Sequence, residues 1–511
     1  MVALAALLRL PGLASRGRFD ADQGHDMATL VAFVRNGVVP LLGPRTSVGE
    51  FHHGAFYYVL LAPAAGLSNG DPVVVTAFIA LLGIAAVALT WWLARSIACP
   101  LAGFVAGLLL AVSPAGVEQS TFIWNPNPIA CFAVLALAAA WKAHTGAAAG
   151  AGARTTNAWW AVAIGAAGAV TQLHVLGIVF LIAIVGLGIL ELRRNRQVVL
   201  GLVGGFGLVV VLFLPLIVHE LQTSFQETGF VLDYLRGGDN ASIGGPASAL
   251  AFTLLRVTGW PIIGLVTDVP AAAALVLAAT VGLAAIGLLQ ARGAERTGLA
   301  WLAGILVWST VVLAFAAPSL QQVVAGLPND HYHAFLDPIV VILIAAPAAR
   351  LLERAFAAWR STRHPARAVA AGAIAAGIAV ILGIALVRNP PPVDPDGGWL
   401  AMRAAGERVV AQSPPDSIAL LGLPTFKLPD AVGYPITYAG GHLVADPTNA
   451  SRIVVACDRL FEAAIGAACG GPAEDALIAA KVGNRPDGQP IAHLVDRFDA
   501  SPRTAISVYA R

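Results

Sequence analysis

The sequence predicts an α-helical polytopic membrane protein that ends in a small soluble α/β domain. Three observations carry this expectation. The 511-residue chain is 58% hydrophobic and only 12% charged, whereas a soluble globular domain is about a quarter charged. Apolar runs long enough to span a bilayer recur between residues 73 and 388. Beyond residue 388 those runs stop, and short β-rich and helix-like segments alternate instead. The net charge of +2 gives no global attraction to nucleic acid, so the positions of the basic residues matter more than their sum.

Lys and Arg collect on cytoplasmic loops. Basic clusters between apolar runs lie at Arg95, at Lys142 and Arg154, at Arg193, Arg194 and Arg196, at Arg292 and Arg296, and from Arg350 to Arg367. Assigning all of them to one side requires an even number of crossings between neighbours. The opening MVALAALLRLPGL is short for a span. It is either partly interfacial or preceded by a natural start further upstream, and residues 1–12 are counted as the first crossing. Spans are then expected near 73–95, 100–116 and 126–143, as two short helices between Arg154 and Arg193, and near 198–219, 272–290, 298–317, 334–350 and 367–387. The total is about eleven crossings. The prolines of QSTFIWNPNP break helices and suit a turn. With this count the loop around Asp22, the WNPNP turn, His174, the 220–271 segment and PSLQQVVAGLPNDHYH all face the extracytoplasmic side, as does the tail.

The tail begins with the linker PPPVDP. Residues 389–511 read as a separate α/β domain of about 120 residues, long enough for a core of its own. Strands are expected at SIALLGL, ITYAG, RIVVACD and TAISVYA, and helices at LAMRAAGERVVAQ, FEAAIGAA and AEDALIAAKVG. No catalytic constellation stands out. Asp446, Asp458 and Glu474 read as solvated or structural. Of the four cysteines, Cys99 and Cys131 are small hydrophobes in or beside spans, and Cys457 and Cys469 can pair if the tail lies in an oxidising compartment.

The chemistry gathers just after the first helix. FDADQGHDMATL carries Asp20, Asp22, His25 and Asp26 in an otherwise apolar chain. Asp20 or Asp22 can serve simply as a helix cap. Asp22 and Asp26 are one helical turn apart and can share a face, where two nearby carboxylates push one pKa up. Glu50, His52 and His53 precede a helix that opens with Tyr57 and Tyr58. These tyrosines suit a membrane-interface belt as well as sugar stacking.

FDADQGHDMATLVAFVRNGVVPLLGPRTSVGEFHHGAFYYVLLAP resembles the first outer loop of GT-C glycosyltransferases, in particular the bacterial protein-mannosyltransferase and aminoarabinose-transferase group (glycosyltransferase family 39-like). That group has an acidic motif, a surface helix, and a Gly/Pro segment leading into a Tyr-rich helix. NDHYHAFLDP, residues 329–338, resembles its late His-Tyr stretch. The likeness covers residues 1–388, read as the membrane transferase domain with its catalytic loop at about 15–72. The chain departs from the group at three points. Asp22-Gln23 stands where Asp-Glu is usual, His52-His53-Gly54 replaces a Lys-Pro-Pro segment, and the second outer loop offers Asn125 and Asn127, with Glu118 nearby, where an acid is frequent.

The resemblance implies transfer of a sugar from a polyprenyl-phosphate donor to a lipid, glycan or protein acceptor, at the extracytoplasmic face of the cell membrane and among membrane lipids. Such a reaction needs a carboxylate to orient or deprotonate the acceptor, and cations or donors for the leaving phosphate. The expected catalytic residues are Asp22 and Asp26. Glu50, His52, His53, Tyr57, Arg45, Asn125, His174, Arg256, His331 and Tyr332 are expected to bind substrate, though His174 also suits a turn and each Arg a solvated loop. The chemistry requires no cofactor. A divalent metal on Asp22, Glu50 and a histidine is conceivable, but no metal site is expected. A transporter or flippase of lipid-linked glycans is the competing class. It would concentrate ionisable groups near the bilayer midplane, whereas here the acids sit in the outer loops.

Overall fold

A computed structural model describes residues 1–511 except 47–48, 237–244, 322–328, 363–364, 392, 414–416, 467 and 485–490. The membrane part runs α1 (Val2–Arg9), α2 (Leu13–Arg16), α3 (Ala21–Asn36), α4 (Phe56–Leu67), α5 (Pro72–Ile97), α6 (Pro100–Ala111), α7 (Pro114–Glu118), α8 (Ile129–Ala148), α9 (Ala153–Leu173), α10 (Ile178–Arg194), α11 (Val199–Gln222), α12 (Gln226–Arg236), α13 (Pro246–Ile263), α14 (Pro270–Gln290), α15 (Gly293–Ala316), α16 (Asp337–Thr362) and α17 (Pro365–Val387). Among the described residues, nine helices are long and apolar enough to cross a membrane, and α4 and α6 are shorter apolar helices. The chain is a multi-pass membrane protein.

Local sequence explains many boundaries. Asp71 caps α5 by accepting from Val73 N–H, with Pro72 in the first turn. Ser113 caps α7 in the same way, ahead of Pro114. Packing between spans relies on small residues. Gly201 and Gly205 of α11 lie directly against Asn157 and Ile164 of α9, where a Cβ would come within 2.6–2.7 Å of their atoms. At the centre, α16 is buried from Ile339 to Ala346.

The basic loops meet at one end of the bundle. Arg350 bonds Glu295 and the Ala98 carbonyl, Arg354 bonds Gln290, and His144 meets Glu191. The acids of the first loop lie at the opposite end, called here the rim. Two expectations are corrected. Residues 1–12 form no crossing. α1 has eight residues, about 12 Å of rise against about 30 Å of hydrocarbon. Arg9 at its end bonds the Leu110 and Ala111 carbonyls that close α6. The expected loop at 220–271 also contains α13, an 18-residue apolar helix. α13 stays along the rim, because Arg256 at its middle bonds the Leu320 carbonyl and Ile263 at its end accepts from Arg388, just past α17. The even crossing count between Arg196 and Arg292 therefore survives: α14 leaves the rim at Pro270 and delivers Gln290 to the basic end. Of the expected outer loop after α15, residues 322–328 lie outside the described set.

The tail continues with α18 (Gly398–Ala411), β1 (Ser417–Leu423), α19 (Asp430–Tyr438), β2 (His442–Val444), β3 (Arg452–Asp458), α20 (Glu462–Ile465), α21 (Pro472–Val482), β4 (His493–Asp499) and β5 (Thr504–Ala510). The sheet order is β2-β1-β3-β5-β4. β1 pairs in parallel with β2 and β3, and β5 pairs antiparallel with β3 and β4. Alternate residues of β3 face opposite layers. Ile453, Val455 and Cys457 pack towards α21, while Val454 and Ala456 pack towards α18 and α19. Cys457 and Cys469 form a disulfide. ITYAG is not a strand, since Ile436 and Val432 sit one helical turn apart on the core face of α19. FEAAIGAA shrinks to the four residues of α20. β4 was not expected, because HLVDRFD is a largely exposed edge with little apolar alternation.

The tail is seated on the rim through α3 and the first turns of the chain. Asp394 N–H donates to the Ser15 carbonyl at 2.8 Å. Phe19 meets Trp399 with ring centroids 4.8 Å apart. Tyr434 of α19 donates to the Gly70 carbonyl. Gly24 lies so close to α19 that a Cβ there would come 1.9 Å from the Asp430 carbonyl oxygen.

Candidate functional site

The site is organised by the capping of α3. The Asp20 carboxylate accepts from Asp22 N–H at 3.2 Å, and Gln23 reaches back to Asp20 N–H at 3.0 Å, a capping box. Gln23 also donates to the Ile123 carbonyl at 2.8 Å, tying α3 to the WNPNP turn. The cap reading therefore belongs to Asp20. It leaves Asp22 in the first turn and Asp26 one turn later, on the same face.

That face lines a cavity of about 760 Å³, well within the range of small-molecule sites. Asp22 is exposed into it. The protein crowded around Asp22 and the neighbouring Asp20 charge push its pKa up to about 6, against the nearby Lys427 and His25. Asp26 is buried deeper and its carboxylate is fully engaged. Tyr57 donates to Oδ2 at 2.9 Å and Tyr58 to Oδ1 at 2.8 Å. Burial pushes the Asp26 pKa up to about 7, although the two hydroxyl bonds favour the ionised form. His25 bonds Asp430 of the tail at 3.0 Å, which raises its pKa.

The far wall is built of rings. His53 and His174 lie 4.7 Å apart by centroid, His174 and Tyr332 4.7 Å, and Trp124 and His331 4.3 Å. Nδ1 of His53 accepts from Val175 N–H and Nδ1 of His174 from Leu176 N–H. This fixes both tautomers and leaves Nε2–H of each as a neutral donor. Burial holds the His53 pKa down at about 3, helped by His52. Asn125 anchors this wall by donating to the Leu173 carbonyl at 2.6 Å. The first-loop hairpin supplies a third side. Arg45 pairs with Glu50, and His52 is clamped by Glu227 of α12 through both its N–H and its ring.

Of the residues expected from the sequence, Asp22, Asp26, Arg45, His52, His53, Asn125, His174, His331 and Tyr332 line this one cavity. Three do not. Tyr57 stands behind Asp26. Glu50 is turned to Arg45. Arg256 is buried in a polar knot, bonding Asp330 twice, at 2.8 and 2.6 Å, together with Asn329 and the Leu320 carbonyl. His333 joins at 3.2 Å. This knot sits behind the turn that presents His331 and Tyr332. Sequence reasoning missed Trp124 as a wall residue, Tyr234 of α12, and the tail residues Phe426, Lys427 and Leu428, all of which line the cavity. Trp124 lay in view within WNPNP, but no local signal tied the tail to Asp22. Among the described residues no cluster of three or more His, Cys, Asp or Glu is arranged to hold a metal.

A helical membrane bundle carries an acidic rim cavity roofed by a small α/β domain, a fold the chain shares with solved GT-C proteins. Residues 40–225 match the family model for dolichyl-phosphate-mannose-protein mannosyltransferases. Among solved structures, the chain is similar to ArnT from Cupriavidus metallidurans in the apo state. The TM-score is 0.58 at 14% identity, over 99% of this chain and 96% of that one. The same protein bound to undecaprenyl phosphate gives a TM-score of 0.59 at 15% identity, covering 99% and 97%. The archaeal oligosaccharyltransferase AglB from Archaeoglobus fulgidus, in complex with an inhibitory peptide and a dolichol-phosphate, gives 0.50 at 12% identity, covering 90% and 69%. No curated protein sequence matches the chain.

Proposed function

We propose that the protein transfers a sugar from a polyprenyl-phosphate donor to an acceptor at the extracytoplasmic rim of the cell membrane. Residues 1–388 would form the transferase domain and 389–511 a soluble domain that roofs the site. The observation that carries this reading is the cavity in which Asp22 and Asp26 face a wall containing neutral His53 and His174 and Tyr332, with Arg45 and Lys427 at its edge. The compared structures hold undecaprenyl phosphate in one case and dolichol-phosphate with a peptide in another, which supports a lipid phosphate here.

The acceptor oxygen attacks the anomeric carbon as the bond from that carbon to the lipid phosphate oxygen breaks, and the phosphate leaves with the electron pair. Asp22, ionised above about pH 6, orients a hydroxyl acceptor and takes its proton. For a phosphate acceptor it orients only. The Nε2–H groups of His53 and His174, with Arg45, stabilise the leaving phosphate as neutral and cationic donors. Asp26 acts through position, since both of its oxygens are held by tyrosines. No cofactor is needed for these steps.

The test is sugar transfer by membranes containing wild type, Asp22→Asn or Asp26→Asn, with a panel of radiolabelled polyprenyl-phosphate sugars and folding checked in detergent. Asp22→Asn is expected to lose about 10²-fold or more of the rate, and Asp26→Asn less. A folded Asp22→Asn as active as wild type refutes the assignment of the base. Movement of lipid-linked glycan across vesicles by wild type, without transfer to any acceptor, would favour a flippase instead.

A further inference from the structure

The tail brings one lysine to the cavity, and its surroundings are those of a group that changes partners. Among the described residues lining the cavity, the lysines and arginines are Arg45 and Lys427. Arg45 is paired with the nearby Glu50. Lys427 lies in the turn between β1 and α19 and rests its ammonium on Asp458. Asp458 does not depend on it. Arg503 holds the same carboxylate through two further bonds, Nε to Oδ1 at 3.1 Å and Nη2 to Oδ2 at 3.3 Å. Removing Lys427 thus leaves Asp458 charge-paired, so the ammonium can leave without stranding a carboxylate.

The turn is also aimed. α19, which follows immediately, is pinned to α3 through Asp430 on His25 and by the close approach of Gly24. Lys427 and Asp22 line the same cavity, so one substrate can meet both. Its neighbours Phe426 and Leu428 line the same cavity and are 72% and 58% exposed. A cation between two exposed apolar side chains suits the phosphate of an amphiphile: the ammonium meets the charge, and the apolar side chains cover the adjoining hydrocarbon.

We propose that Lys427 is a substrate-binding residue that exchanges Asp458 for the phosphate of the lipid-linked substrate, so that the soluble domain completes the site. This rests on the transferase reading above. The shared chemistry is a lipid phosphate, and its source is either the donor or an anionic lipid acceptor.

The experiment uses the full chain in neutral-lipid nanodiscs. Binding of undecaprenyl phosphate, of phosphatidic acid and of uncharged undecaprenol is measured for wild type, Lys427→Met, Lys427→Arg and Asp458→Asn, alongside thermal stability. Lys427→Met is expected to bind undecaprenyl phosphate about tenfold more weakly, the size of one charge-assisted hydrogen bond. Undecaprenol binding and stability should not change, and Lys427→Arg should retain most of the affinity. Asp458→Asn should bind slightly tighter, because the competing carboxylate is gone. A Lys427 effect confined to phosphatidic acid supports the inference with the acceptor as its source. Equal affinities in wild type and Lys427→Met for both phosphates overturn the inference, and the transferase reading then stands if wild type still transfers sugar. Wild type that binds neither phosphate overturns both.

Discussion

Asp22 should set the acid limb of sugar transfer, and its neighbours make that limb movable in both directions. The protein crowded around it and the Asp20 carboxylate raise its pKa to about 6, while Lys427, His25 and Arg18 oppose the rise. A base must be ionised, so the rate is full well above pH 6 and falls as pH drops through about 6. One unit below the pKa, about a tenth of the carboxylate remains ionised, so wild type should keep about a tenth of its plateau rate near pH 5. Neighbouring charges screened by water interact by roughly 0.7–1.4 kcal/mol, or about 0.5–1 pKa unit. Asp20→Asn keeps a capping oxygen for Asp22 N–H and deletes one negative charge. Its limb should move to lower pH, and the rate near pH 5 should rise to about a third of plateau. Lys427→Met deletes a positive charge, so its limb should move to higher pH, leaving a rate of a few per cent there. The assay is initial transfer rate at saturating donor across the acid range, each variant normalised to its own plateau. Limbs that stay put, or that move in the same direction in both variants, refute Asp22 as the titrating group.

Three further outcomes follow from the packing. Gly24→Ala should unseat the tail despite its better helix propensity, because the added methyl meets the Asp430 carbonyl. Protease cleavage in the 389–397 linker should quicken about tenfold or more, and an unchanged cleavage rate would contradict the docking. Arg256→Met leaves Asp330 buried with His333 as its remaining ionisable partner among the described residues, which should cost about 3–5 kcal/mol of stability; Asp330→Asn added to it should recover part of the loss in a detergent melt, and a wild-type melting temperature for the single variant would rule out the knot. Replacing Cys457 and Cys469 by Ser opens a short loop with a sequence separation of 12, so the tail should lose about 2–3 kcal/mol in urea-dependent proteolysis of the full chain, whereas no loss would mean the pair is not joined.

What the sequence disclosed follows the reach of each physical constraint. Lipid demands about twenty apolar residues per crossing, a requirement met within one segment, so most apolar helices between α5 and α17 were legible, although α6 stops at Ala111 short of the expected 116 and α16 runs on to Thr362 past the expected 350. α13 was not, because Arg256 interrupts its apolar run and its partner Asp330 lies 74 residues further on. The same partner explains why a guanidinium that suits phosphate by type is engaged within the protein instead. ITYAG carries β-favouring residues, yet Ile436, with Tyr434 just before the segment, is drawn into a helix by a core and a rim that lie elsewhere in the chain.

The site divides along the same line. Asp22 and Asp26 could be paired from sequence because one helical turn relates them. That Asp20 caps, that Asp26 is clamped and that Asp22 faces the cavity depended on Gln23, Tyr57 and Tyr58, and only the first is local. Lys427 carries no motif, and an isolated lysine in a turn gives no sign of its target. Its relation to Asp22 arises from Gly24, a residue whose value is the side chain it lacks, since that absence lets α19 lie against α3. A roofed rim site thus places two different demands on one sequence. The acids need a helix that holds them in register, which local capping supplies, and the cation needs a docked domain, which only tertiary packing supplies. Substitutions at Gly24 should therefore alter phosphate binding through Lys427 without touching a single group in the cavity.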